Sequence, residues 1–266
     1  AAYLGTVALG QMLVILIAGI DLSVWSLVKL CVLVSAILMD GDPDNVWIAV
    51  TLTLGLGLSV GLIHAFLINE LNMSPFVVTF ASLFILKGIS LSITTKPIGR
   101  ASRDFLMLYS EKIAGIYVIN FFFIILILMM MFLLNKTIFG KHIYAIGGNL
   151  SVAQLSGISV KRVRYGVYSL CSVLAAATGL LWLMRMGVGD PVIGNGLELN
   201  VIIAVVIGGT SLFGGRGTVI GVLGGVLLLT FTDNLLVILG VSQFYSGLIK
   251  GLIFVAAVSL YKMENR

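Results

Sequence analysis

Charge is what this sequence has least of. Only 10% of its 266 residues are Asp, Glu, Lys or Arg, where a soluble domain carries roughly 25%. Two cysteines, Cys31 and Cys171, lie in apolar runs, so no disulfide or zinc framework arises and both read as small core residues. The two histidines, His64 and His142, stand far apart, and no metal-ligand spacing is present. There is no nucleophile elbow and no G-x-x-x-x-G-K-[ST] phosphate loop; "FGKH" at 139–142 lacks the hydroxyl residue. The chain therefore has no catalytic set, no metal site and no cofactor of its own, and it cannot hold ATP by a P-loop. With so few charges, the net +5 reflects topology rather than nucleic-acid binding.

What fills the space is apolar: 59% hydrophobic residues and a mean hydropathy of +1.15. The apolar runs approach the roughly 20 residues that a helix needs to cross hydrocarbon, and they lack the alternation of an outer-membrane barrel. The fold class is all-α, a polytopic membrane helix bundle forming one domain over 1–266. About nine spans are expected, at 1–19, 24–39, 46–68, 75–95, 117–135, 165–186, 198–213, 217–238 and 244–261. The chain opens at Ala1 inside an apolar run, without Met, basic flank or cleavage-site pattern. That argues against a signal peptide and for a missing N-terminal helix.

Lys136, Lys141, Lys161, Arg162 and Arg164 crowd one loop that contains no acid, and Lys262 and Arg266 lie at the C-terminus. The positive-inside rule puts both in the cytoplasm, and the four spans between them agree. The same parity places Asp40, Asp42 and Asp44, the loop 96–116 and the segment "GVGDPVIGNGLELN" outside. Lys96, Arg100, Arg103 and Lys112 run against that assignment, which long translocated loops tolerate. An inverted repeat is also expected: "GLSVG" at 57–61 precedes a run ending in "FILKGI", and "GTVIG" at 217–221 precedes one ending in "GLIKGL". Small-xxx-small helix packing competes with that reading.

Two segments break the helices, "AGIDLS" at 18–23 and "IGGTSLFGGRGT" at 207–218. Backbone leaves a helix at membrane depth only where protein or a water-filled cavity covers it. Asp21 and Ser23 are candidate pathway residues, and a cap on the following helix competes for Asp21. Glu198 and Asn200 open a helix after the Pro- and Gly-rich outer segment, with a gate and a first-turn dipole role both open for Glu198. Lys29 is expected to snorkel toward the interface, and His64 to pack. "GGTSLFGG" is expected to be a tight turn between helices.

The segment "GGNLSVAQLSGISVKRVR" at 147–164 is short, polar and placed inside. Gly147 and Gly148 stop one element, Asn149 and Ser151 can cap a new helix of barely two turns, and Gly157 suits its end. Its Val152, Leu155, Ala153 and Ser156 make a compact knob suited to docking on a soluble partner; a plain capped surface loop is the alternative.

Four stretches together, "GIDLSV" at 19–24, "SPFVVTFASLFILKGIS" at 74–90, "AIGGNLSVAQLSGISV" at 145–160 and "AVVIGGTSLFGGRGTVIGVLGG" at 204–225, resemble the permease subunits of bacterial ABC importers of the ribose and other monosaccharide type. The resemblance implies ten helices in the intact subunit and an inner-membrane location with a cytoplasmic C-terminus. It implies that 147–160 is a coupling segment seated on an ATPase, with Gly148, Asn149, Ser151, Ala153, Gln154, Leu155, Ser156 and Gly157 at the contact. The implied partners are a cytoplasmic ATPase with two nucleotide-binding halves, which holds the ATP and Mg, a second permease subunit, a periplasmic substrate-binding protein and the lipid bilayer. The chain departs from the family pattern at Trp25, where a Gly is usual, and at Asn200, where an Asp is usual. Two mechanisms follow: an ABC permease driven through the coupling segment, or an ion-coupled secondary transporter with titrating carboxylates such as Asp21 or Glu198 in its pathway.

Overall fold

A computed structural model describes residues 1–194, 197–241, 245 and 247–252. In chain order its helices are α1 (Ala2–Leu16), α2 (Val24–Met39), α3 (Val46–Asn69), α4 (Pro75–Ile93), α5 (Arg103–Ser110), α6 (Val118–Lys136), α7 (Ile138–Gly148), α8 (Leu150–Leu155), α9 (Val160–Met186), α10 (Glu198–Ile207) and α11 (Val219–Ile238). A two-stranded hairpin, β1 (Lys112–Ile113) and β2 (Ile116–Tyr117), pairs Lys112 with Tyr117. Pro43–Asn45 forms a 3₁₀ turn ahead of α3.

Among the described residues, five helices are long and apolar enough to cross a membrane: α3 with its preceding turn, α4, α6, α9 and α11. The protein is a multi-pass helical membrane protein. Three further expected spans are helical but short, with 15, 16 and 10 residues in α1, α2 and α10. The physical reason is burial. Every residue of α1 from Gly5 to Leu16 is buried, so the helix is apolar on all sides because protein surrounds it. It packs against α6, α7, α9, α10 and α11 and need not match the hydrocarbon thickness alone. The ninth span falls largely outside the described residues, as do Lys262 and Arg266; residues 247–252 are helical.

The sequence reading missed elements inside two loops. The stretch 96–116 holds α5 and the hairpin, and α7 follows α6 across the single residue Thr137. Thr137 accounts for that break, since its Oγ accepts the Gly140 N–H at 3.1 Å and starts a new helix. The two glycine motifs of the expected repeat take different settings: "GLSVG" lies in the middle of α3, whereas "GTVIG" opens α11.

Packing explains the first motif. A Cβ on Gly57 would stand 2.6 Å from the Ala176 Cβ, and one on Gly61 would stand 2.6 Å from the Tyr168 carbonyl oxygen, so α3 lies backbone-close on α9. That pair anchors the bundle. Loops then gather at two ends. At one, the Gly41 N–H donates to the Arg100 carbonyl (2.8 Å) and Ile98 pairs with Gly189. At the other, Lys161 meets Glu70 at 2.6 Å, and the Asn69 amide donates to the Lys161 carbonyl at 3.1 Å. This is the grouping that charge parity assigned to the two faces.

Gly61→Ala is expected to cost about 1–3 kcal/mol through overpacking. Gly55→Ala, with nothing within 4 Å of its Cβ, should leave stability unchanged or raised by up to about 1 kcal/mol. Thermal unfolding in detergent distinguishes the two, and equal behaviour would contradict the close α3–α9 contact.

Candidate functional site

The helix break between α1 and α2 is built by satisfying its backbone. Ala18, at φ +58, is the left-handed residue of a Schellman end: its N–H donates to the Ile15 carbonyl (2.9 Å) and the Gly19 N–H to that of Val14 (3.0 Å). Gly19 is required because a Cβ there would lie 2.7 Å from the Tyr168 hydroxyl. The Ile20 carbonyl accepts from Thr79 Oγ on α4 at 3.1 Å. With its amide turned to suit, Gln11 of α1 bonds both the N–H (3.2 Å) and the C=O (3.1 Å) of Asp21. The fully wrapped loop meets the condition for irregular backbone at membrane depth.

Asp21 is 1% exposed. Its Oδ1 accepts the Ser23 N–H at 2.8 Å and the Ser23 hydroxyl at 2.7 Å, a local turn that launches α2. Its Oδ2 faces His64 Nδ1 of α3 across 3.6 Å, while His64 Nε2 bonds Ser82 Oγ of α4 at 2.8 Å. Asp21 and Ser23 thus tie the break to α3 and α4. Both are buried in protein, and Asp21 bonds Ser23, the residue ahead of α2, rather than an N–H inside that helix.

The other pathway candidates lie in α10. Glu198, in the first turn of α10, lies 3.4 Å from Lys29 Nζ, and Lys29 is fully buried. It does not snorkel, because Glu198 offers a counter-charge inside the bundle. Sequence distance hid this pair; two lone charges in apolar helices were the available signal. Asn200 is buried two residues on in α10. The bulky Trp25 is buried too. Its ring meets Trp182 edge-to-face at 5.3 Å and carries Gly194, at φ +60, directly against its indole nitrogen. The segment 187–194 therefore dips back into the bundle.

The short helix expected after Gly148 is present as α8. The Val152 N–H donates to Asn149 Oδ1 at 3.1 Å, so Asn149 is the cap, and Ser151 lies inside the helix. A Schellman motif ends it, with Gly157 N–H to the Gln154 carbonyl (3.0 Å), Ile158 N–H to that of Ala153 (3.1 Å) and Gly157 at φ +80. Ala153 faces inward. Gly148, Asn149, Ser151, Gln154, Ser156 and Gly157 are exposed, and Leu155 stands 89% exposed beside Val152 and Leu150. Leu150 completes an apolar tip that the sequence reading left out. Fixed at both ends and greasy at the tip, α8 has the form of a docking knob.

A family model described as "Branched-chain amino acid transport system / permease component" matches residues 1–258. The chain belongs to this permease family. Ribose import permease protein RbsC of Escherichia coli strain K12 is 35% identical over 256 residues, which cover 94% of this chain and 79% of that protein. RbsC of Bacillus subtilis strain 168 is 39% identical over 266 residues, covering 98% and 82%. The D-allose transport system permease protein AlsC of E. coli K12 is 34% identical over 261 residues, covering 98% and 80%. No solved structure matches. A permease component moves solute rather than making or breaking bonds, so the features of interest in this permease are buried polar joints and exposed contact points.

Asp21→Ala strips an acceptor from the Ser23 N–H and hydroxyl, and should lower stability by about 1–3 kcal/mol. Asp21→Asn keeps the Oδ1 acceptor and should cost less than half as much. Thermal melts of the two variants test this. A transport defect in Asp21→Ala with an unchanged melting temperature would instead place the carboxylate in the pathway.

Proposed function

We propose that this chain is the transmembrane subunit of an ATP-driven, binding-protein-dependent importer of a monosaccharide or similar small polar solute, working by alternating access. α8 carries this reading: a helix capped at both ends with its apolar tip in water has surface to bury and a rigid base on which to bear. Its occupant is a cytoplasmic ATPase with two nucleotide-binding halves, which supplies the ATP and Mg sites this sequence lacks. The named relatives import ribose and allose, which favours a sugar over the branched-chain amino acids in the family's description.

In this assembly α8, the Glu70–Lys161 corner and the C-terminus face the cytoplasm, and the 187–194 segment faces a periplasmic binding protein. A second permease subunit completes the pathway in the bacterial inner membrane. The positive-inside count supports that orientation. ATP-driven closure of the partner pushes α8, and the helices joined to its base turn the bundle between outward-open and inward-open states.

An ion-coupled mechanism needs carboxylates that exchange protons or ions with the pathway. Asp21 is sealed in protein, and Glu198 is held by Lys29. Both placements support the ATP-driven reading over the ion-coupled one.

Leu155→Glu tests docking without touching the core. Because the side chain is 89% exposed, the variant should fold and melt like the native chain while retaining less than about a tenth of the ATPase on copurification, a loss typical of an interface anchor. Unchanged ATPase retention would remove α8 from the contact.

A further inference from the structure

The reading of α8 as an ATPase contact raises a mechanical question, and the inference below rests on that reading. A six-residue helix moves a bundle only if its base bears on something stiff. Three chain segments meet at that base. The last carbonyls of any helix have no partner within it, and that of Leu16, the last residue of α1, accepts the Gly215 N–H at 2.9 Å. Gly147, at the end of α7, rests on the same spot, where a Cβ would collide with the Leu16 carbonyl oxygen and the Gly215 nitrogen. Gly215, at φ +71, lies so close that its Cβ would stand 2.8 Å from the Gly148 Cα. Tyr144, one turn earlier in α7, donates its hydroxyl to the Gly217 carbonyl at 2.8 Å and bolts the helix to the far end of the same loop.

Such contacts are backbone on backbone. Side chains can absorb a displacement by changing rotamer, but three abutting main chains cannot. Beyond Leu16 the next residues are those of the break: Ile20 bonded to Thr79 of α4, and Asp21 held by Gln11, joined to Ser23 of α2 and facing His64 of α3. A shift of the α1 end is thereby delivered to three other helices.

We propose that Tyr144, Gly147 and Gly215 form a rigid joint on the Leu16 carbonyl that passes the movement of α8 into the Asp21 break. They are positioning residues, and none needs to touch solute. Gly55 of α3 supplies a control away from both the knob and the joint, since a Cβ on it meets nothing within 4 Å.

Hydrogen exchange of the segment 16–24 reads the joint without any solute. The full chain is purified with its ATPase in nanodiscs and compared with and without ATP and vanadate. The native chain and Gly55→Ala should show the same nucleotide-dependent change in exchange. Gly147→Ala should keep the ATPase bound while that change falls at least about fivefold, within the usual range of coupling between sites. Tyr144→Phe, which removes only the hydroxyl, should show a fall of about twofold. A native complex with ATPase bound but no nucleotide effect on 16–24 overturns the joint, and so does a native-sized effect in both variants. If Gly147→Ala sheds the ATPase while Tyr144→Phe responds normally, the contact is structural and the joint is again wrong. Absence of any ATPase from the native preparation overturns the functional reading itself, and the joint with it.

Discussion

The structure depends on satisfying backbone polar groups where α1 ends inside the protein. A helix terminus exposes carbonyls that hydrocarbon cannot solvate, at a cost of several kcal/mol for each one left unpaired. Here Val14 and Ile15 are answered locally by Gly19 and Ala18, whereas Leu16 is answered from Gly215, about 200 residues away in sequence. The loop between α10 and α11 is fixed by that demand. Gly214 and Gly215 follow from it, since a Cβ on either would crowd the backbone of Gly147 or Gly148.

The same accounting sets the polar content of the bundle. Thr79, Gln11 and Ser23 are each buried, and each answers a group in or beside the break. Gln11, Asp21, Ser23, His64 and Thr79 therefore converge on the one place where the backbone departs from helix between α1 and α2. Lys29 and Glu198 obey the companion rule for charge, in which a buried ion is kept with its counter-ion. Trp25 does the same for volume, filling the space between Trp182 and the returning segment.

Much of this was legible in the sequence, for local reasons. Helix positions followed from apolar runs, α8 from the Asn149 cap and Gly157 stop, and the grouping of loops from lysine and arginine counts. Each is a short-range signal. The misses are long-range. His64 facing Asp21, Lys29 facing Glu198 and Gly215 bonding Leu16 depend on which helices become neighbours, which single-residue chemistry does not encode. Span lengths failed for a related reason: hydropathy registers apolar surroundings without distinguishing lipid from protein, so the wrapped α1 and α10 read as longer spans than they are. "GLSVG" looked like half of a repeat because close packing and internal symmetry both ask for glycines at the same spacing.

Stiffness at the base of α8 has a further consequence for how force divides. α8 is attached on one side to α7 through Gly148 and on the other to α9 through 156–159. The α9 side carries the Gly57 and Gly61 contacts with α3, backbone-close along two turns. The α7 side carries the Leu16 junction and, through it, α1 and the break. The two sides meet again inside the bundle, because α1 packs on α9 with Gly10 close to the Cys171 backbone. The described polar contact between α3 and the break is the one between Asp21 and His64. Across 3.6 Å, with Oδ2 and Nδ1 each lacking another hydrogen-bond partner, this pair is loose enough to change length where the backbone contacts are not.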